Sequence, residues 1–157
     1  MFFLGCHLVD LILQIQGTPE RVIPFNQNSG LGGVTADDFG MALFAYPRGV
    51  SFAKTTAVEL GGFVRRQLVV NGTKGTYEIH PMERTLPDGR LEAERVIRTS
   101  TDWNAPGERA ICDPFDRYDG MMAAFAAMVR GEKENPCTPD YEWTLYRTLM
   151  RACGKEA

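Results

Sequence analysis

FGMALFAYPRGVSFAKTTAV, residues 39–58, is two apolar runs folded back on each other at Pro47-Arg48-Gly49. In the first run Phe39, Met41 and Leu43 alternate with Phe44 and Tyr46, so both faces are bulky. In the second, Val50, Phe52 and Val58 share a side with Lys54 and Thr56, and Thr55, Thr56 and Val58 favour extended backbone. Extended runs joined by so short a turn pair antiparallel, because a parallel pair needs a crossover of about a dozen residues. The same pattern continues outward. Arg65 to Val70 and Gly75 to His80 flank Asn71-Gly72, a hairpin signal. Because Thr73, Lys74 and Gly75 follow, the spacing predicts a loop longer than two residues. Pro87-Asp88-Gly89 then turns into Leu91 to Arg98, and Arg21 to Phe25 adds a short strand upstream. No crossover fits between Phe39 and Arg98, so the expectation is an open, predominantly antiparallel sheet of about five or six strands.

Helices bracket this sheet. Leu8, Leu11, Ile12 and Ile15 follow the i, i+3, i+4, i+7 spacing of a core-facing helix, which Gly17-Thr18-Pro19 ends. Asn26 to Val34 reads as a loop and Thr99 to Cys112 as irregular polar chain. Tyr118, Met121, Met122, Phe125, Met128 and Val129 form an apolar stripe, read as core filler, with Asp113-Pro114 or Asp116 as its N-cap and Gly131 as its stop. The last helix has Thr138 as N-cap, Pro139 at the first helical position, and Asp140 and Glu142 in the first turn, where they favour the helix dipole. The expected architecture is therefore α+β, with an N-terminal helix and two C-terminal helices packed on one face of the sheet. At 157 residues the chain is expected to be a single domain, 1–157. The sheet's other face keeps enough apolar residues to predict a homodimer or higher oligomer packed through it.

Composition narrows the function classes. The formal charge is -3 with acidic and basic residues interleaved, so nucleic acid is not an expected partner. No apolar run reaches the about 20 residues that span a bilayer, and the start lacks the basic region of a signal peptide. The four cysteines (Cys6, Cys112, Cys137 and Cys153) lack metal-ligand or redox spacing and read as reduced thiols of a cytoplasmic protein. No metal site is expected.

The reactive cluster is Gly5-Cys6-His7-Leu8-Val9-Asp10. His7 and Asp10 are neighbours on a helix, at i and i+3. An imidazole titrates close to neutral and can serve as a general acid–base, and a carboxylate one turn on could hold its ring. A lone histidine that merely satisfies backbone groups is the plainer reading. Arg117 and Tyr118 could reach a hydroxyl or carboxylate, or Arg117 could simply pair with Asp113 or Asp116 at a helix start. Trp103 and Trp143 could stack on a sugar ring, although packing explains each more simply.

Several short motifs fall in a specific order: Gly5-x-His7-x-x-Asp10, Gly17-x-Pro19, Glu59-x-Gly61-Gly62, Asn71-Gly72-Thr73-Lys74-Gly75-Thr76-x-Glu78, Arg117-Tyr118 and Pro136-x-x-Pro139-Asp140-Tyr141-Glu142. Together they resemble the C-terminal domain of the Gfo/Idh/MocA family of NAD(P)-dependent oxidoreductases. The resemblance implies a substrate-binding and oligomerisation domain acting on a sugar or polyol. It makes His7 the catalytic proton donor or acceptor; Asp10, Arg117 and Tyr118 are the candidate substrate-binding residues beside it in the reading of the residues themselves. It also implies NAD or NADP in the full-length proteins, held by an N-terminal Rossmann domain. No cofactor-binding residue is expected in this chain, because Gly30-Leu31-Gly32-Gly33 fails the dinucleotide fingerprint. The chain alone is therefore expected to be inactive. Phe3 stands where many members carry an acidic residue, which favours the alternative of a stand-alone, non-enzymatic ligand-binding or assembly module derived from the family.

Overall fold

The computed structural model describes residues 1–155. The elements begin with α1 (Phe2–Gln16), β1 (Arg21–Pro24), β2 (Phe39–Tyr46) and β3 (Gly49–Thr56). Next come β4 (Leu68–Gly72), β5 (Gly75–Ile79), β6 (Arg84–Thr85), β7 (Leu91–Glu92), β8 (Glu94–Arg98) and β9 (Glu108–Ile111). The helices α2 (Asp119–Val129) and α3 (Pro139–Ala152) close the chain. Every strand pair is antiparallel, and the class is α+β as the turn spacing requires. The strands divide among three sheets, ordered β1-β2-β3, β4-β5-β8-β9 and β6-β7. They belong to two compact units, one made of residues 1–59 with the segment from 135 onward, the other of residues 60–134.

In the first unit α1 and α3 cover one face of β1-β2-β3. Gly40, Ala42 and Phe44 alternate inward along β2, opposite Thr55, Ala53 and Ser51 of β3. Phe44 and Val9 are fully buried, and Leu13, Ala42, Ala53, Leu149 and Ala152 complete the core. Each large side chain buried there contributes about 1.5–3 kcal/mol. The fully buried line of α1 is Gly5, Val9 and Leu13; of the expected line, Leu8 and Ile12 are half-buried against the core, whereas Ile15 is exposed. Apolar residues spread well beyond one stripe of the helix, so spacing alone does not choose its most buried line. A Cβ at position 5 would meet the flexible Met1 side chain, which would have to swing aside, and would touch Thr55 Cγ2 at 3.4 Å. Gly17, with φ +75°, ends the helix, and Tyr46 Oη donates to its carbonyl at 3.0 Å. On the uncovered face Ile23, Leu43 and Phe52 line up across the three strands, and Phe52 is 67% exposed.

In the second unit the turn between β4 and β5 is two residues, Thr73-Lys74, with Gly72 opposite Gly75. The expected longer loop at Asn71-Gly72 is not there, because pairing continues past Asn71, which faces Thr76. Gly75 is required: a Cβ would lie 2.4 Å from the Arg98 carbonyl oxygen of the neighbouring strand β8. The run Leu91 to Arg98 breaks at Ala93 into β7 and β8, and Glu108–Ile111, read as irregular, pairs with β8 as β9. Helix α2 starts at Tyr118 with no side-chain cap, so neither Asp113 nor Asp116 performs that role. Its stripe is not core filler either: α2 has no buried residue, and Met121, Met122, Phe125 and Val129 are each more than half exposed.

Candidate functional site

Helix α1 presents His7 to solvent and holds Asp10, one turn on, partly buried. Among the described residues the His7 ring makes no hydrogen bond. Asp10 is engaged elsewhere: Gln14 Nε2 donates to its Oδ2 at 2.9 Å, and Tyr141 Oη donates to its Oδ1. Tyr141 lies in the first turn of α3, where the Thr138 N-cap fixes it by accepting from its backbone N–H at 3.2 Å, with Pro139 pre-setting the backbone. Burial, reinforced by the Asp10 carboxylate, pushes the Tyr141 phenol up to about 12, so it stays a donor at any physiological pH. The Asp10–Tyr141 contact thus ties α1 to α3 beside His7. Position 3, Phe, is exposed at the start of the same helix.

Arg117 and Tyr118 belong to the second unit. Backbone pairing of Phe115 with Leu91, and of Thr85 with Leu91 across β6-β7, carries Arg117 to Glu83. Its Nε donates to Glu83 Oε2 at 2.8 Å, and Arg66 Nη1 reaches Glu83 Oε1 at 3.1 Å. Both guanidinium groups lie over the Phe63 ring, 5.6 and 4.7 Å from its centroid. Glu83 is the first cause, and Tyr118 the second, of the upward shift of the Arg117 pKa. The ion pair of Arg117 is therefore made across this unit, and not with Asp113 or Asp116. Tyr118 remains exposed.

Sequence reasoning did not find Tyr141, Gln14 or Glu83 as partners. Gln14 was visible in the i+4 spacing from Asp10, whereas Tyr141 and Glu83 reach their partners by tertiary packing.

The glycine segment does not fit a dinucleotide. Leu31–Gly33 is one short turn between antiparallel strands, with left-handed Gly30, Gly32 and Gly33, and it leads into extended Val34. Asn28 Nδ2 closes the loop on the carbonyls of Val34 and Ala36, at 2.8 and 2.6 Å. A pyrophosphate cradle needs the N-terminus of a helix that follows a strand, and this loop supplies none. Among the described residues no helix is long and apolar enough to cross a membrane.

The first unit is thus an α+β layer, an exposed histidine on a packed helix over an antiparallel sheet with one open face. Residues 1–78 match the GFO/IDH/MocA C-terminal domain. The match places the first half of the chain in the GFO/IDH/MocA family. No curated protein matches it. Among solved structures, a "putative oxidoreductase" from Klebsiella pneumoniae shares the fold at TM-score 0.64 and 18% identity, covering 98% of this chain and 47% of its own. A protein of the same description from Yersinia pestis does so at TM-score 0.66 and 18% identity, covering 96% and 46%. The chain spans about half the length of these structures.

Proposed function

We propose that this chain is the substrate-binding and oligomerisation part of a cytoplasmic NAD(P)-dependent oxidoreductase acting on a sugar or polyol. The nicotinamide cofactor belongs to polypeptide outside these 157 residues, and supplies the hydride chemistry when bound. The observation that carries the reading is His7: an exposed imidazole, uncommitted to any described partner, on a helix that the Asp10–Tyr141 contact holds in place. In this role His7 exchanges a proton with the reacting hydroxyl or carbonyl oxygen. Asp10, tied to Tyr141, keeps the helix in position. The match to a C-terminal domain and the half-length coverage support this division of labour.

Two copies pack through the open face of β1-β2-β3. The row Ile23, Leu43 and Phe52, with Val50 66% exposed at the turn, is an apolar patch of the kind that marks an interface.

The test is His7→Ala in the complete gene product, following polyol-dependent formation of reduced nicotinamide. Turnover should fall about a hundredfold or more, with circular dichroism and nucleotide affinity unchanged. Unaltered turnover per folded molecule would remove His7 from the chemistry.

A further inference from the structure

The two-residue turn Thr73-Lys74 and the segment running from Thr99 to Ala105, both in the second unit, line an open cleft. Trp103 stands at its edge, 100% exposed. Its backbone is nevertheless held. Ala105 N–H donates to the Asp102 carbonyl at 3.1 Å and Asn104 N–H to Asp102 Oδ1 at 2.9 Å, while Ser100 Oγ accepts from Asp102 N–H at 3.1 Å. The indole is thus carried at the second position of a braced turn. It offers about 150–250 Å² of flat surface.

Several polar groups beside it are uncommitted. Among the described residues, Lys74 has no ion-pair partner, and the hydroxyls of Thr73, Thr99 and Thr101 make no hydrogen bond. The Arg98 charge is taken by Glu78 at 2.7 Å. What remains is one positive charge, Lys74, and one negative charge, Asp102, which cancel. An anionic ligand would meet no net attraction here, and a purely apolar one would strand the hydroxyls. A ring with a C–H face and a rim of hydroxyls suits all of these groups. The face lies on the indole, and the hydroxyls bond Lys74 Nζ, the Asp102 carboxylate and the threonines.

We propose that this cleft is a binding site for a neutral saccharide, stacked on Trp103 and anchored by Lys74 and Asp102. None of these residues takes part in the His7 chemistry, so the site stands or falls independently of the oxidoreductase reading.

The chain has two tryptophans, and Trp143→Phe leaves Trp103 as the sole indole. This variant is titrated separately with D-glucose, D-galactose, D-mannose and cellobiose while the emission is recorded. At least one sugar should give a saturable change with millimolar half-saturation. Lys74→Ala, at an exposed turn position, should weaken binding about tenfold. In calorimetry, Trp103→Ala should give no saturable heat. Three outcomes overturn the proposal: no saturable change with any of the four sugars; equal binding by the Lys74→Ala and Trp103→Ala variants; or Trp103 emission that shifts with protein concentration alone, which would mean that a second copy covers the indole.

Discussion

Removing one oxygen atom, with Tyr141→Phe, tests the Asp10–Tyr141 contact. The substitution keeps the ring against the core and deletes the donor to Asp10 Oδ1, leaving Gln14 as the remaining partner of the carboxylate. Hydrogen bonds to charged groups contribute about 1.5–3 kcal/mol, and the partial exposure of both residues places this one near the lower end, about 1–2 kcal/mol. The pH dependence gives a sharper signature. The folded phenol titrates at about 12, above the ordinary value of 10.0. A raised folded-state pKa means that the stabilisation is fully present below pH 10.0 and is lost as pH rises through about 12, because the unfolded chain gives up its proton first. The assay is urea unfolding followed by Trp143, which lies on α3 and stacks on Tyr146 at 5.8 Å. Wild type minus Tyr141→Phe should be about 1–2 kcal/mol at pH 7 and shrink toward zero across the alkaline window. A double cycle with Asp10→Asn should show the two changes to be coupled. A difference below a few tenths of a kcal/mol at pH 7, or one unchanged at the alkaline end, would refute the reasoning.

Phe44→Ala empties the most central position of the first unit and should cost about 3–5 kcal/mol in urea unfolding. Gly75→Ala forces a Cβ toward the Arg98 carbonyl, a backbone atom that cannot swing aside, and should cost roughly 1–3 kcal/mol, read as faster amide exchange in β5 and β8. Phe52→Lys places a charge in the middle of the open face. Sedimentation should give a smaller species than wild type, with unfolding of the dilute protein changed by less than about 0.5 kcal/mol.

Local signals survived folding best. The turn residues at 47–49, the glycine at 17 and the Thr138-Pro139 start of α3 each act within a few residues, and each stands where spacing placed it. On α1 the spacing finds Leu8 and Ile12, which pack against the core, but not the most buried line of Gly5, Val9 and Leu13, because apolar residues spread well beyond one stripe of the helix. Strand β9 gives no sequence signal, since Glu108, Arg109, Ala110 and Ile111 do not alternate; its register, with Glu108 opposite Ile97 and Ile111 opposite Glu94, is set by pairing with β8. The same holds for the site. His7 and Asp10 announce themselves by i, i+3 spacing, whereas Tyr141 reaches Asp10 across 131 residues of sequence, and only packing brings them together.

The first unit is assembled from two stretches of chain with the second unit's whole sequence between them. During synthesis, every residue from 60 to 134 therefore leaves the ribosome before α3 begins at Pro139. Until then Val9 and Phe44 lack Leu149 and Ala152 to close over them, and the nascent sheet shows its sticky inner side to water. Translation stalled or truncated shortly before position 139 would yield a chain able to complete its middle but not its ends, a natural client for chaperones.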